Sequence, residues 1–75
     1  MTKKKAIRYL VCVDNEGYPE ALELRKLYRV LPDSAATRVN FVRIVDESGE
    51  DYLYPKSFFA PVRLSPPVRK VLAAT

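Results

Sequence analysis

The sequence predicts an all-β fold, a small barrel of short strands, and three observations predict it. The runs at residues 6–13 and 38–45 are dense in β-branched and aromatic residues, with apolar groups on both parities. Residues that favour turns punctuate the chain at short, regular intervals, and no internal repeat or low-complexity stretch interrupts that rhythm. Finally, the chain has 75 residues, enough for one domain. A chain of this size buries only roughly 60% of the surface its unfolded form exposes, so its core must draw on nearly every apolar side chain.

The first strand spans residues 6–13. Ile7, Tyr9, Val11 and Val13 occupy one parity and Leu10 and Cys12 the other, so both faces are covered at its far end. "DNEGYP" then ends it: Asn15 and Gly17 suit positive φ, and Pro19 pushes Tyr18 into an extended conformation. The next segment, "PEALELRKLYRVLPD", fits two patterns. As a helix it places Pro19 in the first turn and gathers Ala21, Leu24, Leu27, Tyr28 and Leu31 on one face. As a strand it aligns Leu22, Leu24, Tyr28 and Val30 on one face, with Glu23, Arg25 and Arg29 opposite. Pattern and propensity slightly favour the helix.

After Pro32, "DSAA" makes one helical turn capped by Asp33. A strand follows at residues 38–45, and then "RIVDESGEDYLYP" turns back on itself. Glu47, Ser48 and Gly49 make a three-residue hairpin loop in which Gly49 takes the left-handed position. "PVRL" at residues 61–64 forms the last short strand. Ser65 caps a final turn or helix, with Pro66 in its first position and an apolar stripe of Val68, Val71 and Leu72. That stripe suits the covering of an open barrel end or a docked partner.

Composition narrows the function. With 48% hydrophobic and 29% charged residues the chain is ordinary globular material. Its apolar runs fall short of the roughly 20 residues that cross a bilayer. A basic triplet ahead of an apolar run mimics a signal peptide, but Arg8 interrupts the run and no small-residue cleavage site follows, so a cytoplasmic address is expected. Cys12, the only cysteine, forms no intrachain disulfide and suits a reducing compartment. It stands between Val11 and Val13, where a thiol is an inert packing group. The net charge is +4, yet without Lys3, Lys4 and Lys5 the basic and acidic residues nearly balance, so the basic character lives in the tail at residues 1–5.

The acidic group Asp46, Glu47, Glu50 and Asp51 invites a metal reading. A calcium loop of the EF-hand type needs oxygen ligands at its first, third, fifth and twelfth positions and glycine at the sixth. Counted from Asp46, glycine falls at the fourth, Asp51 at the sixth and Ser57 at the twelfth, so the match fails and the cluster reads as a solvated hairpin tip. No histidine supplies a general base or metal ligand, and the two glycines stand too far apart to cradle a phosphate. No enzyme, cofactor or metal site is expected.

The exit from the hairpin carries a resemblance. "LYPKSFFAPV", residues 53–62, resembles the end of an SH3 domain, where a strand finishes in an aliphatic-aromatic-proline sequence, a 3-10 turn follows and a short strand closes the barrel. "EALELRKLYRVLPD" is similar to the segment that leaves the first long loop of that fold and enters its second strand. The resemblance covers most of residues 6–64, with its specific part in about ten residues. It implies a five-stranded SH3-like barrel over residues 6–64, a 3-10 turn before the last strand, and a short C-terminal helix or tail over 65–75. It also turns the ambiguous segment into a strand. The whole chain is similar in style to small uncharacterised bacterial proteins of SH3-like fold, a likeness that implies no particular activity.

In peptide-binding SH3 domains a proline and the aromatic three residues later line a groove for polyproline helices, and Pro55 and Phe58 match these positions. Phe59 would point into the barrel. The groove tryptophan has no counterpart, and "AIRYLV" does not reproduce the paired tyrosines of the other wall. Tyr9, Tyr28, Phe41 and Phe59 are expected in the core, and Tyr52, Tyr54 and Phe58 partly exposed around the 3-10 turn.

Two functions are weighed. The first is a non-catalytic interaction module whose protein-binding residues are Tyr52, Tyr54, Pro55 and Phe58, flanked by Glu16, Glu47 and Glu50. Its partner would be a basic or proline-containing segment, or a second copy of the chain. The alternative is a nucleic-acid-binding barrel using Lys3, Lys4, Lys5, Arg25, Arg29 and Arg43 beside tyrosines that stack on bases.

Overall fold

Five antiparallel strands form one sheet in the computed structural model, which describes residues 8–74. They are β1 (Arg8–Cys12), β2 (Leu27–Leu31), β3 (Phe41–Val45), β4 (Asp51–Pro55) and β5 (Phe59–Pro61), in the spatial order β4-β3-β2-β1-β5. A short helix α1 (Ser34–Arg38) links β2 to β3, a 3-10 turn (Lys56–Phe58) joins β4 to β5, and α2 (Pro66–Ala74) follows. The tail at residues 1–5 and the first two positions of the expected strand 6–13 lie outside the described residues. No helix among the described residues is long and apolar enough to cross a membrane.

Alternation sorts the strands into two faces. Opposite Leu10 stand Tyr28 and Pro61, opposite Cys12 stands Phe59, opposite Val30 stands Ile44, and opposite Val42 stands Tyr54. Of these, Cys12, Tyr28, Ile44, Tyr54 and Phe59 form the buried cluster with Leu22 from the long loop and Phe58 from the 3-10 turn, and Leu10, Val30 and Val42 pack against it. The outer face carries Tyr9, Val11, Leu27, Arg29, Phe41, Arg43, Val45 and Leu53. The sheet is not closed: β1, β2 and β3 pair with neighbours on both sides, while β4 and β5 are its two end strands. The chain passes between those ends through the 3-10 turn alone, without a ladder joining them.

The segment after Pro19 is neither of its two expected forms along its whole length. Tyr18 N–H donates to the Asn15 carbonyl at 2.8 Å, closing a turn whose third residue, Gly17, has φ 89°. Ala21 and Leu22 N–H groups then donate to the Tyr18 carbonyl, making one helical turn that drops Leu22 into the core. Asn15 Nδ2 donates to the Leu22 carbonyl at 2.9 Å and holds that turn against the loop. The strand begins only at Leu27, after Arg25 at φ 64° has reversed the chain and donated its N–H to the Cys12 carbonyl at 2.7 Å. Burying Leu22 thus outweighs the helical periodicity, since tertiary packing overrides a weak local preference.

Asp33 caps α1, its Oδ1 accepting from Ala36 N–H at 3.0 Å. The helix runs through Arg38 and Asn40 turns the chain at φ 65°, so β3 starts at Phe41, three residues later than the expected 38. That start sets Val42 and Ile44 inward and Phe41 outward. Phe41 is therefore 38% exposed and not a core residue. Tyr9, also expected in the core, lies half-buried on the same outer face. The last strand falls at Phe59–Pro61 and not at residues 61–64, because Phe59 pairs with Cys12 and fills the interior. Beyond it, Arg69 N–H donates to the Ser65 carbonyl at 2.9 Å at the start of α2, whose Val68 and Val71 are exposed.

Candidate functional site

The β3–β4 hairpin accounts for every carboxylate of the acidic cluster. Gly49, at φ 86°, directs its N–H to the Asp46 carbonyl at 3.0 Å, and Asp46 N–H donates to the Glu50 carbonyl at 3.1 Å. Asp46 itself is buried, and its carboxylate accepts from Ser48 N–H at 2.9 Å, from Ser48 Oγ at 2.6 Å and from the Tyr54 hydroxyl. Burial alone would raise its pKa, but these donors outweigh the desolvation and hold the carboxyl below its ordinary range. Glu47 accepts from Lys26 Nζ and from the Tyr28 hydroxyl, which lower its pKa in that order. Glu50 accepts from the Tyr52 hydroxyl at 2.9 Å, and Asp51 pairs with Arg43 at 3.0 Å. The cluster is a turn whose acids tie the hairpin to its surroundings. Among the described residues no group of three histidine, cysteine or carboxylate side chains is placed to hold a metal ion.

The aromatic surface expected at the hairpin exit is arranged differently from the expectation. Tyr54 is only 3% exposed, and Phe58 is buried as well, so both belong to the core and not to an open surface. The alternation of β4 turns Tyr54 inward opposite Val42, and the 3-10 turn folds Phe58 under the long loop. Tyr52, on the same side of β4 but beyond the core, is 49% exposed, and Pro55 is half-buried. The long loop adds a residue that the motif did not name. Tyr18, 46% exposed, stands edge-on to Tyr54 with ring centroids 5.1 Å apart and to Phe58 at 6.2 Å. These are favourable aromatic geometries. The one sequence signal for Tyr18 was its place between Gly17 and Pro19, which presents an aromatic at a loop turn.

Acidic groups neighbour this surface. Asp14 N–H donates to the Phe58 carbonyl at 3.3 Å, and the Asp14 side chain accepts from Glu16 N–H at 3.0 Å, so the loop segment that carries both acids passes Phe58. Cys12 is buried under the same loop, its Sγ donating to the Asp14 carbonyl at 3.3 Å. Burial pushes its thiol pKa up.

Of the basic residues of the alternative reading, Arg29 and Arg43 share the outer face on the neighbouring strands β2 and β3. Arg25 sits in the tight turn before β2, and Arg29 projects from the outer face between Tyr9 and Val45. Arg43 is engaged by two carboxylates, Asp33 at 2.9 Å and Asp51 at 3.0 Å. Lys3, Lys4 and Lys5 lie outside the described residues. No protein-family model, curated protein or solved structure matches this chain.

Proposed function

We propose that this chain is a non-catalytic SH3-like interaction module that binds a protein segment through the surface made by Tyr18, Tyr52 and Pro55. The observation that carries the reading is Tyr18, half exposed and stacked edge-on upon buried Tyr54 and Phe58. A rigid aromatic of this kind offers contact area at little cost in conformational entropy. Strand order and the 3-10 turn between β4 and β5 support the SH3-like part of the reading, with the open sheet as a partly formed barrel. Asp14 and Glu16, on the loop segment that passes Phe58, favour a segment carrying proline and a basic residue, because such acids steer and orient a cation.

The test is a two-dimensional NMR titration of labelled protein with a proline-rich peptide bearing one arginine. Resonances of Tyr18, Tyr52 and Pro55 should shift, and Tyr18→Ala and Tyr52→Ala should each weaken binding about tenfold, as truncation of an aromatic anchor does, while the spectrum stays folded. Tyr54 and Phe58 serve poorly as probes, since their truncation removes core packing. Unaltered binding in both variants would reject the site. A titration with mixed-sequence single-stranded oligonucleotides separates the rival reading: shifts at Arg25 and Arg29 that fade between about 50 and 200 mM salt would replace the protein partner with nucleic acid.

A further inference from the structure

At the end of the sheet remote from the hairpin, the inner face opens into a cavity of about 560 Å³. Its floor is Leu10, Val30, Val42 and Phe59. Phe59 belongs to the buried cluster, whereas Leu10, Val30 and Val42 pack against that cluster while remaining only partly covered. The volume lies within the range of small-molecule sites, which are concave, mostly apolar and supplied with a few polar groups. An apolar body seated there would complete the burial of three aliphatic side chains.

The charges around the cavity are unbalanced. Arg8, Arg43 and Lys56 line it together with a single acid, Asp33. Asp33 is held by Arg43 and by its cap on α1, and Arg43 also binds Asp51. Arg8 and Lys56 have no ion-pair partner among the described residues. Among the described residues the opening therefore presents two cations without an ion-pair partner above an apolar floor. We propose that the cavity binds a small amphipathic carboxylate, its apolar body on Leu10, Val30, Val42 and Phe59 and its anionic head between Arg8 and Lys56. The guanidinium fork of Arg8 suits a carboxylate's two oxygens, and the Lys56 ammonium adds a second charge-assisted donor. This site stands apart from Tyr18 and Tyr52, neither of which lines the cavity.

Decanoate, kept below its micelle-forming concentration, is the probe. Methyl-resolved NMR should show shifts at Leu10, Val30 and Val42 and at the Phe59 ring, while Tyr18 and Tyr52 stay unmoved. Uncharged decanol should bind about tenfold more weakly, the worth of one charge-assisted hydrogen bond. The double variant Arg8→Gln/Lys56→Gln, which alters only exposed side chains, should lower decanoate affinity by a similar factor and leave decanol unchanged. Equal affinity for decanol and decanoate overturns the proposal, as does a response centred on the outer-face residues Phe41 and Leu53, or none at millimolar decanoate. Contacts between the floor methyls and Val68 or Val71 of α2 that persist in saturating decanoate overturn it too, since the chain's own helix would then be the occupant.

Discussion

The hydroxyl of Tyr54 donates to Oδ2 of Asp46, joining the innermost aromatic of β4 to the first residue of the hairpin loop. Both groups are buried, and among the described residues no buried side-chain polar atom lacks a hydrogen-bond partner. A cluster that looks like a cation site in the sequence is thus turned inward by one acid, with the remaining acids paired at its edge.

Tyr54→Phe should destabilise the protein by about 2 kcal/mol, because it removes a hydrogen bond to a charged group and leaves the buried carboxylate one donor short. Urea unfolding with an unchanged denaturant slope checks this. Asp46→Ala combined with Tyr54→Phe should cost less than the two single changes summed, as expected for residues in contact.

Stability should fall on the acid side. Asp33, Asp46 and Glu47 all have pKa values lowered by folding. The folded state therefore binds fewer protons than the unfolded chain across this range. Their contribution is fully present above the ordinary values of 3.8 for aspartate and 4.5 for glutamate, and is lost as pH falls through the lower folded values. On the alkaline side the sign reverses: burial, then the bonds to Glu47 and Asp46, raise Tyr28 and Tyr54 above their ordinary 10.0. Their contribution is complete below that value and disappears as pH rises through the folded values. Thermal melts across pH trace both limbs, and in Tyr54→Phe the acid limb should be shallower, since Asp46 has lost one of the bonds that lower its pKa.

Cys12 should be unreactive in the folded protein. Burial both blocks access and raises its pKa, so alkylation by iodoacetamide should run at least about a hundredfold slower than in denaturant, proceeding through transient opening. Mass spectrometry of timed samples reads the ratio. Rapid labelling under native conditions would show that the loop over Cys12 opens readily.

Gly49→Ala should cost about 1 kcal/mol. A Cβ added at Gly49 meets nothing within 4 Å, so the cost is that of φ 86° alone. Gly49→Asn should cost less, because asparagine tolerates the left-handed region. Equilibrium unfolding of the two variants separates conformation from crowding.

Much of the local structure was legible in the sequence. Asp33 reads as a cap and Gly49 as the left-handed residue of a tight hairpin because both are properties of a few adjacent residues, and the structure places both there. Alternation in "YLVC" likewise put Leu10 and Cys12 on one side of β1, and the structure turns that side inward, whereas in "FVRIV" the expected core residue Phe41 has the parity that β3 turns outward. The acidic cluster also reads as a hairpin tip, and the structure forms a turn there, with Gly49 N–H donating to the Asp46 carbonyl at 3.0 Å.

The remaining features depend on segments distant in sequence. Period-two alternation says which residues share a face, but what covers that face is decided by other elements. Tyr54 and Phe58 became core because the long loop lays Tyr18 and Leu22 against them, and that same contact made Tyr18 the exposed aromatic in their place. The helical pattern of residues 19–31 gave way for a related reason: one turn followed by a strand buries Leu22 and pairs Leu27–Leu31 with both β1 and β3. By itself the sequence determined turns, caps and facing, which local sterics settle. Only the tertiary structure decided which aromatics meet solvent, that the sheet stays open, and that Arg8 and Lys56 share one cavity, because burial and electrostatics depend on groups that folding brings together.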